Sequence, residues 1–260
     1  MRTAFAALLA TCLLSGTAHA GRSFFGWLQG TEVMPERGVE LQVWTIEEND
    51  RYTTPASPDD QYTAMWIAPV IGITDRLELL LPNEFEWGAV EGTDGTAHFT
   101  WKRFGAGARY RFVPQDEVEA PPLVPLVQVS VKRDVQVRNL TRVEGGGSLS
   151  YEAGRVVALA EVGYVGEFGH HTVKTADGPF LVKNHNEIRP AIGVSVSVTD
   201  ELRLGGEIYS EVTFDRFTKT WAAIGPNVSW THGRFWLSGA FGIGVYQVST
   251  APRVMWGIAF

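Results

Sequence analysis

Three glutamates, Glu78, Glu84 and Glu86, sit at even spacings in one stretch of the chain, and three arginines, Arg103, Arg109 and Arg111, do the same in the next. Residues an even number apart share one face of a β-strand. Opposite charges on neighbouring strands then meet across the ladder. Arg203, Glu207 and Glu211 repeat the spacing further on, and Arg189 falls opposite Glu211 if the turn between them centres on Asp200. A set of this kind does one of two things: it fills and neutralises an enclosed polar space, or it forms a charged constriction that sorts permeants. Either way the shared face is polar and turned inward.

Other chemistry is sparse. His170, His171 and His185 flank "GHHTVKTADGPFLVKNH", read here as a long loop, without the spacing that fixes a metal's geometry. They are expected to be solvated. Asp50, Asp59 and Asp60, with Glu47 and Glu48, make an acidic loop that would attract divalent cations only loosely, and its expected state is also solvated surface. No G-x-S-x-G elbow accompanies Ser148 and Ser150, which read as lining. The expectation is a protein that is not an enzyme, with no cofactor and no metal.

The elements that must carry these residues are strands. In "EIRPAIGVSVSV", Ile188, Pro190, Ile192, Val194, Val196 and Val198 alternate with Glu187, Arg189, Ala191, Gly193, Ser195 and Ser197. Period two over such a run means a strand with one apolar face. Thr199-Asp200 marks a turn, after which the alternation resumes; "GITDRLEL", around Thr74-Asp75, has the same hairpin chemistry. Read this way, the chain holds twelve strands: 38–47, 62–73, 77–88, 98–112, 123–133, 142–151, 156–168, 187–198, 202–214, 220–230, 235–246 and 252–260. Turns near Thr74, Ala153, Asp200 and His232 are short. Glu48–Gln61, Ala89–Ala97, Gly169–Asn186 and Gln247–Ala251 are longer, and Val113–Pro122 is long on the short side. Short turns at one end and long loops at the other belong to an outer-membrane barrel, with the short end periplasmic. The expected fold is an all-β, up-and-down, antiparallel transmembrane barrel over 38–260.

Both chain ends agree with export to such a membrane. Arg2, the apolar "AFAALLATCLL" and the Ala18-His19-Ala20 site read as a signal peptide cut after Ala20, which removes the single cysteine, Cys12. The formal net charge of −7 then becomes −8, because Arg2 leaves with the leader. An acidic chain is a poor fit to nucleic acid. Residues 21–37 form a periplasmic N-terminal segment whose Phe24-Phe25-Gly26-Trp27-Leu28 either tucks into the lumen, lies on the interface or packs against the barrel end. At the other terminus Val254, Trp256, Ile258 and Phe260 form a greasy face that runs to the last residue. A soluble sheet with that edge would aggregate, so the last strand is expected to pair with the first and turn this face to lipid. Tyr110, Phe112, Trp230, Phe235 and Phe260 gather near the short-turn end, and Phe85, Trp87, Phe168 and Phe214 near the other, as two interfacial girdles. Trp44, Trp221, Trp236 and Tyr246 point inward in this register, either as a slide for aromatic or apolar solutes or as packing.

The terminal Phe260 and the leader resemble those of Gram-negative outer-membrane proteins, whose final phenylalanine is a recognition signal for the barrel-assembly machinery. "TEVMPERGVELQVW", "GITDRLEL" and "FGAGARYRF" are similar to the transporter-like outer-membrane family linked to the meta-pathway of phenol degradation. That resemblance covers essentially the whole mature chain. It implies a pore for small molecules, with membrane lipid and a small permeant as partners, and it supplies no catalytic set. The competing class is a structural or adhesion barrel with a plugged lumen, and behind it an outer-membrane hydrolase, against which the missing G-x-S-x-G elbow counts.

Overall fold

The computed structural model describes residues 23–49, 61–89, 97–114, 121–175, 178–214 and 220–260. The leader, Asp50, Asp59 and Asp60 lie outside them, as does most of the Val113–Pro122 connection. The strands are β1 (Val39–Asn49), β2 (Gln61–Thr74), β3 (Leu77–Leu80), β4 (Asn83–Ala89), β5 (Ala97–Arg111), β6 (Leu123–Asp134), β7 (Thr141–Ala153), β8 (Val156–Thr175), β9 (Gly178–Ser197), β10 (Leu202–Thr213), β11 (Trp221–His232), β12 (Phe235–Tyr246) and β13 (Thr250–Ala259). β3 and β4 are two halves of one barrel strand, because both lie between β2 and β5. Pro82, which has no N–H to give the ladder, sits at the break. The wall stays continuous there through Leu81 N–H to the Pro69 carbonyl (2.9 Å) and Gly105 N–H to the Pro82 carbonyl (3.0 Å).

With β3 and β4 taken as one, every barrel strand pairs antiparallel with its sequence neighbours, and β1 pairs with β13, Glu40 opposite Ala259 and Ile46 opposite Arg253. The result is a closed twelve-stranded barrel with no free edge. Phe260 adds a last bond, its N–H to the Val39 carbonyl at 2.9 Å, so the terminal aromatic is fixed at the seam.

Parity sorts the side chains. Val127, Val129 and Val131 of β6 are each about half exposed, as are Ile192 of β9 and Ile243 of β12, while Ser195, Ser238 and Met255 on the other face are fully covered. An outside this apolar suits hydrocarbon and not water. Tight ends are made by glycine: Gly154 and Gly233 have φ of 58° and 57° in the two-residue turns after β7 and β11. Glycine at the first central position of such a turn adopts this conformation without steric cost.

Three expectations are corrected. The stretch 169–186 is not a loop: β8 and β9 run on as one long hairpin, with His171 opposite Val182 and Thr175 opposite Gly178. A β-branched, apolar run interleaved with histidine and lysine continues a ladder as well as it makes a loop, which is why composition misled. Tyr246 points outward and is 52% exposed. The register slips between Ala222 and Ala223, so that Tyr246 rather than Val245 stands opposite Ala222, and this reverses the parity at the strand end. Glu48, read as solvated, is buried.

Candidate functional site: a lumen in two layers

The inside of the barrel is occupied. Residues 23–38, ahead of β1, touch walls all round the circumference, from β3 and β5 through β7, β8, β10 and β11 to β13, which is possible only from within. Of the three places open to this segment, it takes the lumen. It enters at the short-turn end, where the Ser229 hydroxyl donates to the Ser23 carbonyl (3.0 Å), rises to Trp27, and returns to the same end at Met34, whose N–H reaches Glu78.

Its grip is mainly on the peptide backbone. The Glu207 carboxylate accepts three successive N–H groups, from Gly26, Trp27 (2.7 Å) and Leu28 (3.0 Å), and Glu161 accepts the next, from Gln29 (3.0 Å). Carbonyls turn toward arginines: Arg109 donates to Gly30 and to Glu32 (3.0 Å), Arg111 to Thr31 (3.3 Å), and Arg253 to Trp27 (2.7 Å). Charge-assisted bonds of this kind are the strong ones. Close approach needs small residues. A Cβ at Gly26 would lie 2.3 Å from the Ala240 nitrogen, and one at Gly193 would meet the Phe25 ring at 2.9 Å. A cavity of about 20 Å³, bounded by Gln29, Glu32, Gln42, Trp44 and Arg109, has room for about one water.

Above this layer, toward the long loops, the charges grip one another. Arg103 joins Glu84 (3.1 Å) to Glu167 (2.7 Å), Arg142 joins Glu167 (3.1 Å) to Glu144, and Lys132 joins Glu144 (2.6 Å) back to Glu84. Across the lumen Arg189 bridges Glu187 and Glu211 (3.0 Å), with His185 against Glu187 at 3.1 Å. Lys132 is almost fully covered and also stands 3.8 Å over the Trp66 ring, which stacks on Trp44. Trp27 marks the boundary between the layers. Its ring lies 4.6 Å from Tyr209 and 5.5 Å from Trp221, and both of these bond Glu211.

The sequence-predicted residues thus divide. Glu78 meets Arg109 at 2.7 Å, Glu84 and Glu86 meet Arg103 at 3.1 and 3.9 Å, and Arg189 meets Glu211. Glu86 also pairs with Lys102 at 3.3 Å, because a bulge between Glu84 and Phe85 turns Lys102 and Arg103 inward together. Arg111 goes to the segment instead, Glu207 holds it, and Arg203 bonds Ser195 (3.2 Å) and Ser197 and covers the Phe24 ring at 4.2 Å. Ser148 and Ser150 line the lumen, Ser150 bonded to Thr31 at 2.7 Å. His185 is buried in β9 rather than solvated. The side chains of His170 and His171 lie outside the described residues. Sequence reasoning passed over Lys132, Arg142, Glu144, Glu161, Glu167 and Arg253; each shares the inward parity of its strand, and that parity was the available signal. Among the described residues no cluster of His, Cys, Asp and Glu could hold a metal ion.

The fold is that of outer-membrane β-barrels. The backbone is similar to the β-domain of the Bordetella autotransporter BrkA, with TM-score 0.51 at 8% identity over 86% of this chain and 99% of that one. It is equally similar to the translocator domain of the autotransporter NalP from Neisseria meningitidis, with TM-score 0.51 at 9% identity over 98% and 92% of the two chains. Likeness at such low identity concerns the fold alone. No protein-family model and no curated protein matches the sequence, so the narrower resemblance to the phenol-degradation family has no second support.

Proposed function

We propose that this protein is a channel of the Gram-negative outer membrane for passive passage of small molecules, shut in the described conformation by its own residues 23–38. The leader, cut near Ala20, would export it, and the short turns and Phe260 would face the periplasm, where the barrel-assembly machinery reads the final aromatic. One observation carries the reading: what closes the lower lumen is a separable segment that belongs to no strand, held by hydrogen bonds to inward side chains. The rings around Trp27 and the Trp44–Trp66 stack favour solutes with flat, apolar parts.

A second reading, a structural barrel closed for good, is favoured by the ion pairs of the upper layer, which belong to the wall and remain in the lumen when the segment leaves. Thr31 and Ser150, whose hydroxyl oxygens are 2.7 Å apart, separate the two. Paired cysteines there, Thr31→Cys with Ser150→Cys, fall within reach of a disulfide. In planar bilayers the channel reading expects the oxidised variant to stay silent and the reduced one to open intermittently. Silence in both states, with wild type silent across solutes, supports the structural barrel.

A further inference from the structure

The lower wall reads peptide backbone. Glu207, Glu161 and Glu78 take N–H groups of Gly26, Trp27, Leu28, Gln29 and Met34, while Arg109, Arg111 and Arg253 donate to carbonyls of Trp27, Gly30, Thr31 and Glu32. All of these contacts are to main-chain groups, and the one position whose side chain they restrict is 26, where a Cβ would fall 2.3 Å from the Ala240 nitrogen. What the wall adds is seats for rings: Phe24 under Arg203, Phe25 over Gly193, and Trp27 between Tyr209, Trp221 and the Arg253 guanidinium at 5.6 Å.

A wholly apolar solute in this space would take from Glu207, Glu161 and Arg253 the backbone partners they now have, while Glu78 and Arg109 would keep only each other, which is costly in a partly dry site. A second peptide would replace those partners group for group. Nor does the resident segment saturate the wall. The Nε atoms of Arg109 and Arg253 are buried without partners among the described residues. Both ends of the segment also lie at the short-turn mouth, so it can withdraw without threading through the barrel and the vacated site opens to that side.

We propose that the lower layer is a peptide-binding site whose resident occupant is residues 23–38, and that with this segment displaced it takes a short peptide bent at a glycine and bearing aromatic side chains from the short-turn side. Passage of the peptide onward rests on the channel reading; its binding does not. The segment is then a tethered competitor, present at the high effective concentration that a short linker gives.

The test uses the full chain with its wall intact. Gly26→Val evicts the segment sterically, since its Cβ would fall 2.3 Å from the Ala240 nitrogen. The probe is a dye-labelled, end-capped SFFGWLQGTE peptide, followed by anisotropy on the folded protein in detergent. Gly26→Val is expected to bind it at least tenfold more tightly than wild type. Adding Glu207→Gln should cost at least tenfold of that gain, and so should a peptide N-methylated at the amides corresponding to Gly26, Trp27 and Leu28. Phe25→Ala with Trp27→Ala, which empties two ring seats, is a second route to displacement should Gly26→Val fail to fold. Absence of binding to either variant, or equal binding of the N-methylated probe, overturns the proposal. Conductance of the same variants reads the channel separately: binding without conductance removes the channel reading and leaves this site, and conductance without binding does the reverse.

Discussion

The two layers of the lumen use the same residue types to opposite ends. In the upper layer Glu84, Glu144, Glu167, Arg103, Arg142 and Lys132 all belong to the wall, so each charge is neutralised by another strand. In the lower layer Glu161, Glu207 and Arg253 are turned to the backbone of a segment that is not wall. The difference is one of what moves. An upper charge can lose its partner only if the barrel deforms; a lower one loses it when residues 23–38 leave. The upper layer belongs to the stability of the barrel, the lower to its occupancy.

The largest expected effect falls in the upper layer. Lys132→Met takes one of two cationic partners from both Glu84 and Glu144 in a covered site, leaving them Arg103 and Arg142, and breaking a buried ion pair costs up to about 3–5 kcal/mol. Urea titration of the folded protein, followed by heat-modifiable gel mobility, should show that loss as a lower midpoint. An unchanged midpoint would mean that water enters the upper layer freely, and the contrast with the lower one would vanish.

The outside supplies the next test. Ile192, 54% exposed on β9, should cost about 2–4 kcal/mol as Ile192→Arg if it sits near the membrane midplane. An open lumen would tolerate Ser195→Arg, on the inner face. Room is lacking: Ser195 is fully covered and already accepts a bond from Arg203 at 3.2 Å. Both substitutions are therefore expected to destabilise, Ser195→Arg by overpacking at about 1–3 kcal/mol. Repacking Ser195→Arg with Arg203→Ser should recover part of its loss and none of Ile192→Arg's.

Effects confined to the lower layer should be local. Glu207→Gln keeps one acceptor but removes the charge that three amides share, and bonds to a charged group contribute about 1.5–3 kcal/mol. Amide exchange at Gly26, Trp27 and Leu28 is expected to quicken at least tenfold while the urea midpoint stays near wild type. If the midpoint fell as far as with Lys132→Met, the segment would be structural.

How much of this was legible beforehand follows from parity. The strands, their closure and the meeting of Glu78 with Arg109 and Arg189 with Glu211 needed only period two and turn positions. Where parity breaks, so does the reading: the slip at Ala222 turned Tyr246 outward. The bulge at Glu84 happened to preserve the reading, since Arg103 and Arg109 stay on one face beyond it. The segment Phe24–Leu28 has no period to read. Its place is set by long-range bonds to Glu207 and Arg253, some 180 and more residues away, and nothing local encodes them.

The smallest effect lies outside both layers, at the short turns. Glu201 accepts from the His232 ring at 2.7 Å and from the Trp230 indole at 3.3 Å, and the two rings stack. The hydrogen bond from His232 holds the Glu201 carboxyl below its ordinary value of 4.5. A carboxyl depressed in the folded state contributes stability above its unfolded pKa and loses it as the pH falls through the folded one. Acidification below about 4.5 should therefore loosen this turn and leave the pairs of the upper layer in place, visible as a change at Trp230 but not at Trp66. With Glu201→Gln the Trp230 change should disappear. Its persistence would place the titrating group elsewhere, and a simultaneous change at Trp66 would mean that the upper layer is as open to solvent as this exposed turn.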